Sequence, residues 1–189
     1  PFMVVHTALA VLLARLSGSD DITIGTPVAG RGEAALDDLV GMFVNTLVLR
    51  TGVDGAASFR NLLSDTTRVG LEAFANADVP FERLVDRINP VRSQSFSPLF
   101  QVMLAFQNYT QSVVELPGLS VSALDFDWQA AQYDLSVTLV EPAGGDGSYL
   151  GEIGYATDIF DADSVAAVAE QFVRVLTAAV ASRIVRSVT

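Results

Sequence analysis

Apolar positions recur along this chain with two periods. From Phe2 to Leu16 they fall all round a helical wheel, broken only by His6, Thr7 and Arg15. This predicts a helix over 1–16, buried on most sides. Ser17, Gly18, Ser19, Asp20 and Asp21 carry the turn chemistry that stops it. Ile22 to Ile24 read as a short strand, closed by Gly25, Thr26 and Pro27, with Gly30 and Gly32 flanking Arg31 in a loop. Phe43 to Arg50 is mostly apolar and predicts an interior strand, with Phe43, Asn45, Leu47 and Leu49 on one face.

Helical spacing returns at Phe59, Leu62, Leu63, Ala73 and Phe74, with Ser58 placed to cap. Pro80 opens a short helix over 81–88, which Asn89 and Pro90 stop. Leu99 to Phe106 and Leu119 to Leu124 read as strands. Tyr133 to Val140 alternates cleanly and predicts a half-exposed strand. Pro142 to Ser148 would be a loose hairpin tip, and Tyr149 to Tyr155 the antiparallel return. Asp161 or Asp163 starts a last helix whose apolar face runs through Val165, Val168, Ala169, Phe172, Leu176, Ala179 and Val180. After Ala181 that pattern fades. The alternation of helices and strands, without a strict βαβ repeat, predicts an α/β mixed sheet with packed helices.

Composition narrows the chemistry. The chain has 189 residues, half of them hydrophobic, and 17% are charged. That suffices for a sizeable core and excludes a disordered chain. The net charge is −11, so clustered positive charge for nucleic acid is not expected. With no cysteine there is no disulfide, thiolate nucleophile or zinc-thiolate site. A single histidine excludes a multi-histidine metal site, and no metal is expected. The stretch Phe2 to Leu16 is shorter than the roughly 20 residues of a membrane span and lacks the basic start of a signal peptide. We expect no membrane partner and a cytoplasmic location. The chain opens without Met, inside a helical pattern, and reads as a piece of something longer.

Candidate chemistry is sparse. There is no phosphate loop, since lysine is absent, and no Gly-x-Ser-x-Gly elbow. His6 lies in an apolar helix with no orienting partner nearby in sequence, which favours a packing role over a general base. Asp125 and Asp127 beside Trp128 suit a solvated loop better than a cation site. Asp37 and Asp38 suit the acidic first turn of a short helix. Arg31 and Arg50, each at a strand end, suit structural ion pairs. Asn45 in an apolar strand must be hydrogen-bonded. It either ties the strand to a loop or faces a substrate channel.

Several stretches, taken together and in order, carry a resemblance. They are Ile24-Gly25-Thr26-Pro27-Val28-Ala29-Gly30-Arg31, Val40-Gly41-Met42-Phe43-Val44-Asn45-Thr46-Leu47-Val48-Leu49-Arg50, and Asp78-Val79-Pro80-Phe81-Glu82. Arg92, Ser95 and Pro98-Leu99-Phe100-Gln101-Val102 follow, then Tyr133-Asp134-Leu135 and Tyr155-Ala156-Thr157-Asp158-Ile159-Phe160-Asp161. In this order the chain resembles the C-terminal half of a nonribosomal peptide synthetase condensation domain. The resemblance implies a chloramphenicol acetyltransferase-like lobe over 1–182, the second of two lobes, with 183–189 starting a linker. It implies peptide-bond formation between a donor thioester and an acceptor amine, as in antibiotic or siderophore biosynthesis. Both substrates would ride on phosphopantetheine arms of carrier domains, with no cofactor bound directly. The implied partners are the N-terminal lobe, carrier domains and an adjacent adenylation domain.

The family's His-His-x-x-x-Asp-Gly motif belongs to the first lobe, and His6 is followed by no Asp-Gly at that spacing. No catalytic residue is therefore assigned here, and the fragment alone should be inactive. Asn76 and Ala77 also depart from the His-Gln that often precedes Asp-Val-Pro-Phe-Glu. Gly25, Thr26 and Asn45 are the candidates for the tunnel wall. Arg31, Arg50, Asp78, Pro80, Phe81, Arg92 and Gln101 are read as structural motif residues. Epimerisation, cyclisation and oxygenase-recruiting domains share the implied architecture, as do stand-alone acyltransferases. A non-catalytic recruitment or docking lobe is the main alternative.

Overall fold

The structure, a computed structural model, describes residues 1–32, 34–36, 38–90, 93, 96–107, 118–119, 130–141 and 147–184. Helix α1 runs over Phe2–Ser17 and ends where Gly18 adopts φ 70°, its N–H donating to the Ala14 carbonyl at 3.0 Å. Only glycine takes that backbone conformation without strain. Strand β1 (Asp21–Ala29) follows, then a single 3-10 turn, Ala34–Leu36, and strand β2 (Val44–Gly52). Helix α2 (Phe59–Ala75) is capped by Ser58, whose Oγ accepts from the Asn61 N–H at 3.3 Å. Helix α3 covers Phe81–Ile88, strand β3 Val102–Gln107, strand β4 Leu135–Val140 and strand β5 Leu150–Tyr155. Helix α4 (Ala162–Ile184) starts at Asp161, whose carboxylate accepts from the Ser164 N–H at 2.7 Å. Those hydrogen bonds hold the Asp161 carboxyl below its ordinary value.

Among the described residues the strands form one sheet in the order β2-β1-β3-β4-β5. The outer pairs β1–β2 and β4–β5 are antiparallel, and the inner pairs β1–β3 and β3–β4 parallel. The mixed α/β architecture read from the sequence is therefore the observed one. Ile22, Ile24, Leu104, Val137 and Leu139 alternate onto one face. There they meet Val5, Leu9 and Leu12 of α1, Leu62 of α2 and Phe172 of α4. α1 packs between α2 and α4. Because it has neighbours on three sides, its apolar wheel needs no polar face.

Several boundaries differ from the sequence reading. β1 does not close at Gly25 but continues through Thr26 and Pro27 to Ala29, paired with β2 throughout. Among the described residues β3 pairs with β1 only at Ile24 and Gly25. Pro27 thus lies where one side of the strand has no partner among the described residues, and its missing N–H is tolerated there. β3 begins at Val102 rather than Leu99, because Leu99 sits at φ 70°, outside extended backbone. Asp38 follows the 3-10 turn rather than opening a helix. On α4, Val165 and Phe172 are buried, but Val180 is 56% exposed. Residues 162–181 of α4 are also long and apolar enough to cross a membrane by length and composition, which the sequence reading overlooked. This helix docks on α1 and carries the exposed Glu170–Arg174 pair. The expected strand over 119–124 (beyond Leu119), the hairpin tip over 142–146 and the Asp125–Trp128 loop lie outside the described residues.

Candidate functional site

Several of the motif residues converge. Asn45, near the start of β2, donates from Nδ2 to the carbonyls of Ala77 and Val79, both at 2.8 Å. Its Oδ1 accepts from the Phe81 N–H at 3.1 Å. One carboxamide thus uses two donors and one acceptor to fix the turn that carries Asp78 and Pro80. Pro80 stands at the N-cap of α3 in extended geometry (φ −60°, ψ 139°), and Asp78 is exposed. Phe81 presents its ring to Phe100 at 5.7 Å between centroids, and Phe100 meets Tyr133 at 5.1 Å. Burial raises the Tyr133 phenol above its ordinary value.

Phe100 is fully buried because it lies over Gly25. A Cβ built on Gly25 would come 2.3 Å from the Phe100 ring, so any larger residue collides. At Gly25, one of the tunnel-wall candidates, the space a side chain would take is filled by an aromatic ring of the same chain. A glycine inside a strand is the sequence sign of a close approach, though not of its partner. Gln101 holds the entry to β3, its Nε2 donating to the Ser97 carbonyl at 3.0 Å. Arg92 lies outside the described residues.

Thr26 is 2% exposed, and its hydroxyl donates to the Leu104 carbonyl at 2.8 Å. Of the tunnel candidates, Thr26 and Asn45 therefore commit their polar groups to the chain itself. For Asn45 the tie between strand and loop is the geometry observed. Arg50 makes the ion pair expected of it, with Nη2 2.7 Å from the Asp21 carboxylate. That guanidinium holds the Asp21 carboxyl below its usual value. Arg31 donates to the carbonyls of Leu36 and, at 2.6 Å, Leu39, and lays its guanidinium 4.3 Å over the Phe43 ring. The Gly30 N–H donates to the Phe43 carbonyl at 2.8 Å, closing the excursion between β1 and β2.

His6 is 1% exposed, with neither ring nitrogen hydrogen-bonded. Its ring stacks on Phe2 at 6.0 Å, and Phe2 in turn meets Phe74 and Phe106 edge-on. Burial drives its pKa down to about 4. No cluster of three or more metal-ligating side chains occurs among the described residues. An open cleft of about 540 Å³, lined by Val11, Arg15, Asp20, Val53, Asp54 and Phe59, lies at the opposite end of the sheet from Asn45. It touches none of the motif residues.

The model of the condensation domain family matches residues 2–183. The chain belongs to the condensation-domain family. It is 46% identical over 183 residues to a probable non-canonical nonribosomal peptide synthetase, CymA, of Salinispora arenicola, covering 95% of the chain and 2% of that protein. It is 46% identical over 181 residues to a dimodular nonribosomal peptide synthase of Bacillus subtilis, covering 94% of the chain and 8% of that protein. Among solved structures, the X-domain from teicoplanin biosynthesis superposes with a TM-score of 0.84 at 30% identity, covering 92% of this chain and 40% of that one. A four-domain nonribosomal peptide synthetase bound to AMP and glycine superposes with a TM-score of 0.86 at 25% identity, covering 95% and 15%. The chain thus spans less than a tenth of these curated relatives and two fifths of the solved X-domain. It shares the chloramphenicol acetyltransferase-like fold of condensation domains.

Proposed function

We propose that this chain is the second lobe of a condensation domain in nonribosomal peptide synthesis, and that its companion lobe supplies the catalytic histidine. The observation that carries this reading is the state of His6. An imidazole that is 1% exposed, unbonded and neutral down to about pH 4 does not exchange protons with a substrate. In the proposed reaction the acceptor amine attacks the carbonyl carbon of the donor thioester. The C–N bond forms, the C–S bond breaks, and the amine's proton ends on the released thiol. Holding two carrier-borne substrates together supplies much of the rate. The lobe's part is to offer a rigid wall, and the Asn45–Phe81–Phe100–Gly25 assembly supports that role.

On this reading the partners are the first lobe, carrier domains with their phosphopantetheine arms, and a neighbouring adenylation domain, in the cytoplasm. Residues 1–182 form the lobe and 183–189 begin a linker. Gly25, Thr26 and Asn45 brace the tunnel wall from within rather than touching substrate. The test is a peptide-forming assay with loaded carrier domains, run with the chain alone and with the first lobe joined to it. Turnover is expected only for the joined protein; turnover by the chain alone overturns the reading. A second reading, a non-catalytic recruitment lobe, draws support from the likeness to the teicoplanin X-domain, also solved as a complex with OxyB. Joined protein that binds a tailoring enzyme but forms no peptide would favour it.

A further inference from the structure

We propose that the seam between α1 and α2 holds an ordered internal water that bridges the His6 imidazole and the Thr66 hydroxyl. Two polar side chains are stranded there. His6 and Thr66 are each 1% exposed, and neither the ring nitrogens nor the Thr66 Oγ1 has a hydrogen-bond partner among the described residues. The register of the two helices sets them opposite one another. At one end Phe2 meets Phe74 edge-on, and a Cβ on Gly70 would come 2.5 Å from the Met3 Cε. At the other end Val11 and Ala14 of α1 line the same cleft as Phe59 and Leu62 of α2. The helices therefore run antiparallel. One turn inward from the Met3–Gly70 contact lie His6 on α1 and Thr66 on α2.

The Thr66 hydroxyl is the informative group. A helical threonine can satisfy itself by donating to the carbonyl four residues back. Thr7 does so to Met3 at 2.7 Å, Thr67 to Leu63 at 2.6 Å and Thr177 to Val173 at 2.8 Å. Thr66 does not take the Leu62 carbonyl, so its hydroxyl is left for the seam. A buried hydroxyl and a buried imidazole without partners both cost free energy, yet the two make no direct bond. Polar groups that face each other beyond hydrogen-bond reach are the setting a bridging water fills. A neutral imidazole offers one donor and one acceptor nitrogen, and a hydroxyl offers either. The Leu62 carbonyl keeps a second lone pair, which gives the water a third partner. One enclosed molecule does not supply an imidazolium with the hydration of bulk solvent, so His6 stays neutral beside it. The histidine that takes no part in the chemistry thereby gains a role as a joint between two helices.

The first test is crystallography of this chain at a resolution that shows ordered water. One water within hydrogen-bond distance of both a His6 ring nitrogen and the Thr66 Oγ1 is expected. A dry seam, or a direct His6–Thr66 bond, overturns the proposal, and this reading needs no variant to fold. The second test is Thr66→Val, which exchanges the hydroxyl for a methyl group of the same shape with little change in helix propensity. A hydroxyl bonded through water is missed when it is removed, so the urea midpoint should fall. A hydroxyl without any partner is better removed, so a midpoint that rises or stays level overturns the proposal. The same substitution is then made in a His6→Phe background, where the water has lost one of its partners. Thr66→Val should lower the midpoint less there than in the otherwise unchanged chain. Equal losses in the two backgrounds would mean that hydroxyl and imidazole share no water, and would overturn the proposal as well.

Discussion

The Oδ1 of Asn45 accepts the Phe81 backbone N–H at 3.1 Å, joining a residue of β2 to the first residue of α3. The same carboxamide holds the Ala77 and Val79 carbonyls. The bond links two of the motifs that mark the family, and the Phe81 ring carries the link onward to Phe100 and so to Gly25. Residues far apart in the chain thus form one brace across the end of the sheet. The polar tie fixes direction, because only one amide orientation matches two acceptors and one donor.

Replacing Asn45 tests that tie. Asn45→Leu keeps the size but leaves two carbonyls and one N–H without their partner. Unfolding free energy should fall by about 1–3 kcal/mol. Asn45→Asp keeps the acceptor but sets a carboxylate against two carbonyl oxygens, and should cost at least as much at neutral pH. Urea denaturation followed by circular dichroism reads both. A midpoint unchanged for Asn45→Leu would show that the turn holds itself.

Gly25→Ala puts a methyl group into the Phe100 ring, which is fully buried and gripped by Phe81 and Tyr133. The ring has nowhere to go, so the substitution should cost about 1–3 kcal/mol or more. Gly70→Ala makes a useful contrast. There the added Cβ would meet only the Met3 Cε at 2.5 Å and the Sδ at 2.9 Å, the far end of a flexible side chain. It should cost less than Gly25→Ala. Gly25→Ala combined with Phe100→Leu should recover part of the loss, a non-additivity that a double-mutant cycle measures directly.

These contrasts show what the sequence could and could not convey. Periodicity located α2 and α4 and the all-round apolar wheel located α1, whereas α3, which has no fully buried residue, was legible from Pro80 at its start and Asn89-Pro90 at its end. The strand Leu135–Val140 was legible from its period, its burial alternating residue by residue. The length of β1 was not. Gly25, Thr26 and Pro27 look like a stop, and what carries the strand past them is pairing with β2, a partner some twenty residues away. At Asn45 the residue type showed that partners were required but not where they lay. The ring over Gly25 was equally hidden, because Phe100 reaches it only after Leu99 turns the chain through positive φ. The Arg31 clasp depends on carbonyls, which leave no trace in side-chain pattern.

The Arg50–Asp21 pair should matter little. Both side chains are largely open to water, at 73% and 48% exposure, and the bonds, though bidentate, are solvated. Arg50→Gln should leave the urea midpoint nearly unchanged at physiological ionic strength, with any difference vanishing in 1 M salt. The Asp21 carboxyl is held below its ordinary value, so what the pair contributes is present at neutral pH. It is lost only as the pH falls through the carboxyl's lowered folded value. A clear drop in midpoint for Arg50→Gln that persists in salt would mean the pair fixes the β1–β2 register.

His6 gives the chain its own acid sensitivity. In the unfolded chain its imidazole titrates near the ordinary 6.5, and in the folded chain burial holds it at about 4. Between those values the unfolded state binds a proton that the folded state refuses, so stability rises with pH across that window and is level above it. A gap of this size corresponds to roughly 3 kcal/mol, lost progressively as the pH falls from 6.5 to 4. His6→Phe keeps an aromatic ring against Phe2 and removes the ionisable nitrogens. The difference between the two unfolding curves should therefore open below pH 6.5 in favour of the variant and stop growing near pH 4. Carboxylates titrate in both proteins alike and cancel in that difference. Proton NMR of the His6 ring provides the independent check, with the chemical shift nearly constant between pH 8 and 6 and no titration step near 6.5 expected. A titration midpoint near 6.5 in the folded chain would place the imidazole in contact with water, and with it would go the argument that this histidine cannot serve as the base.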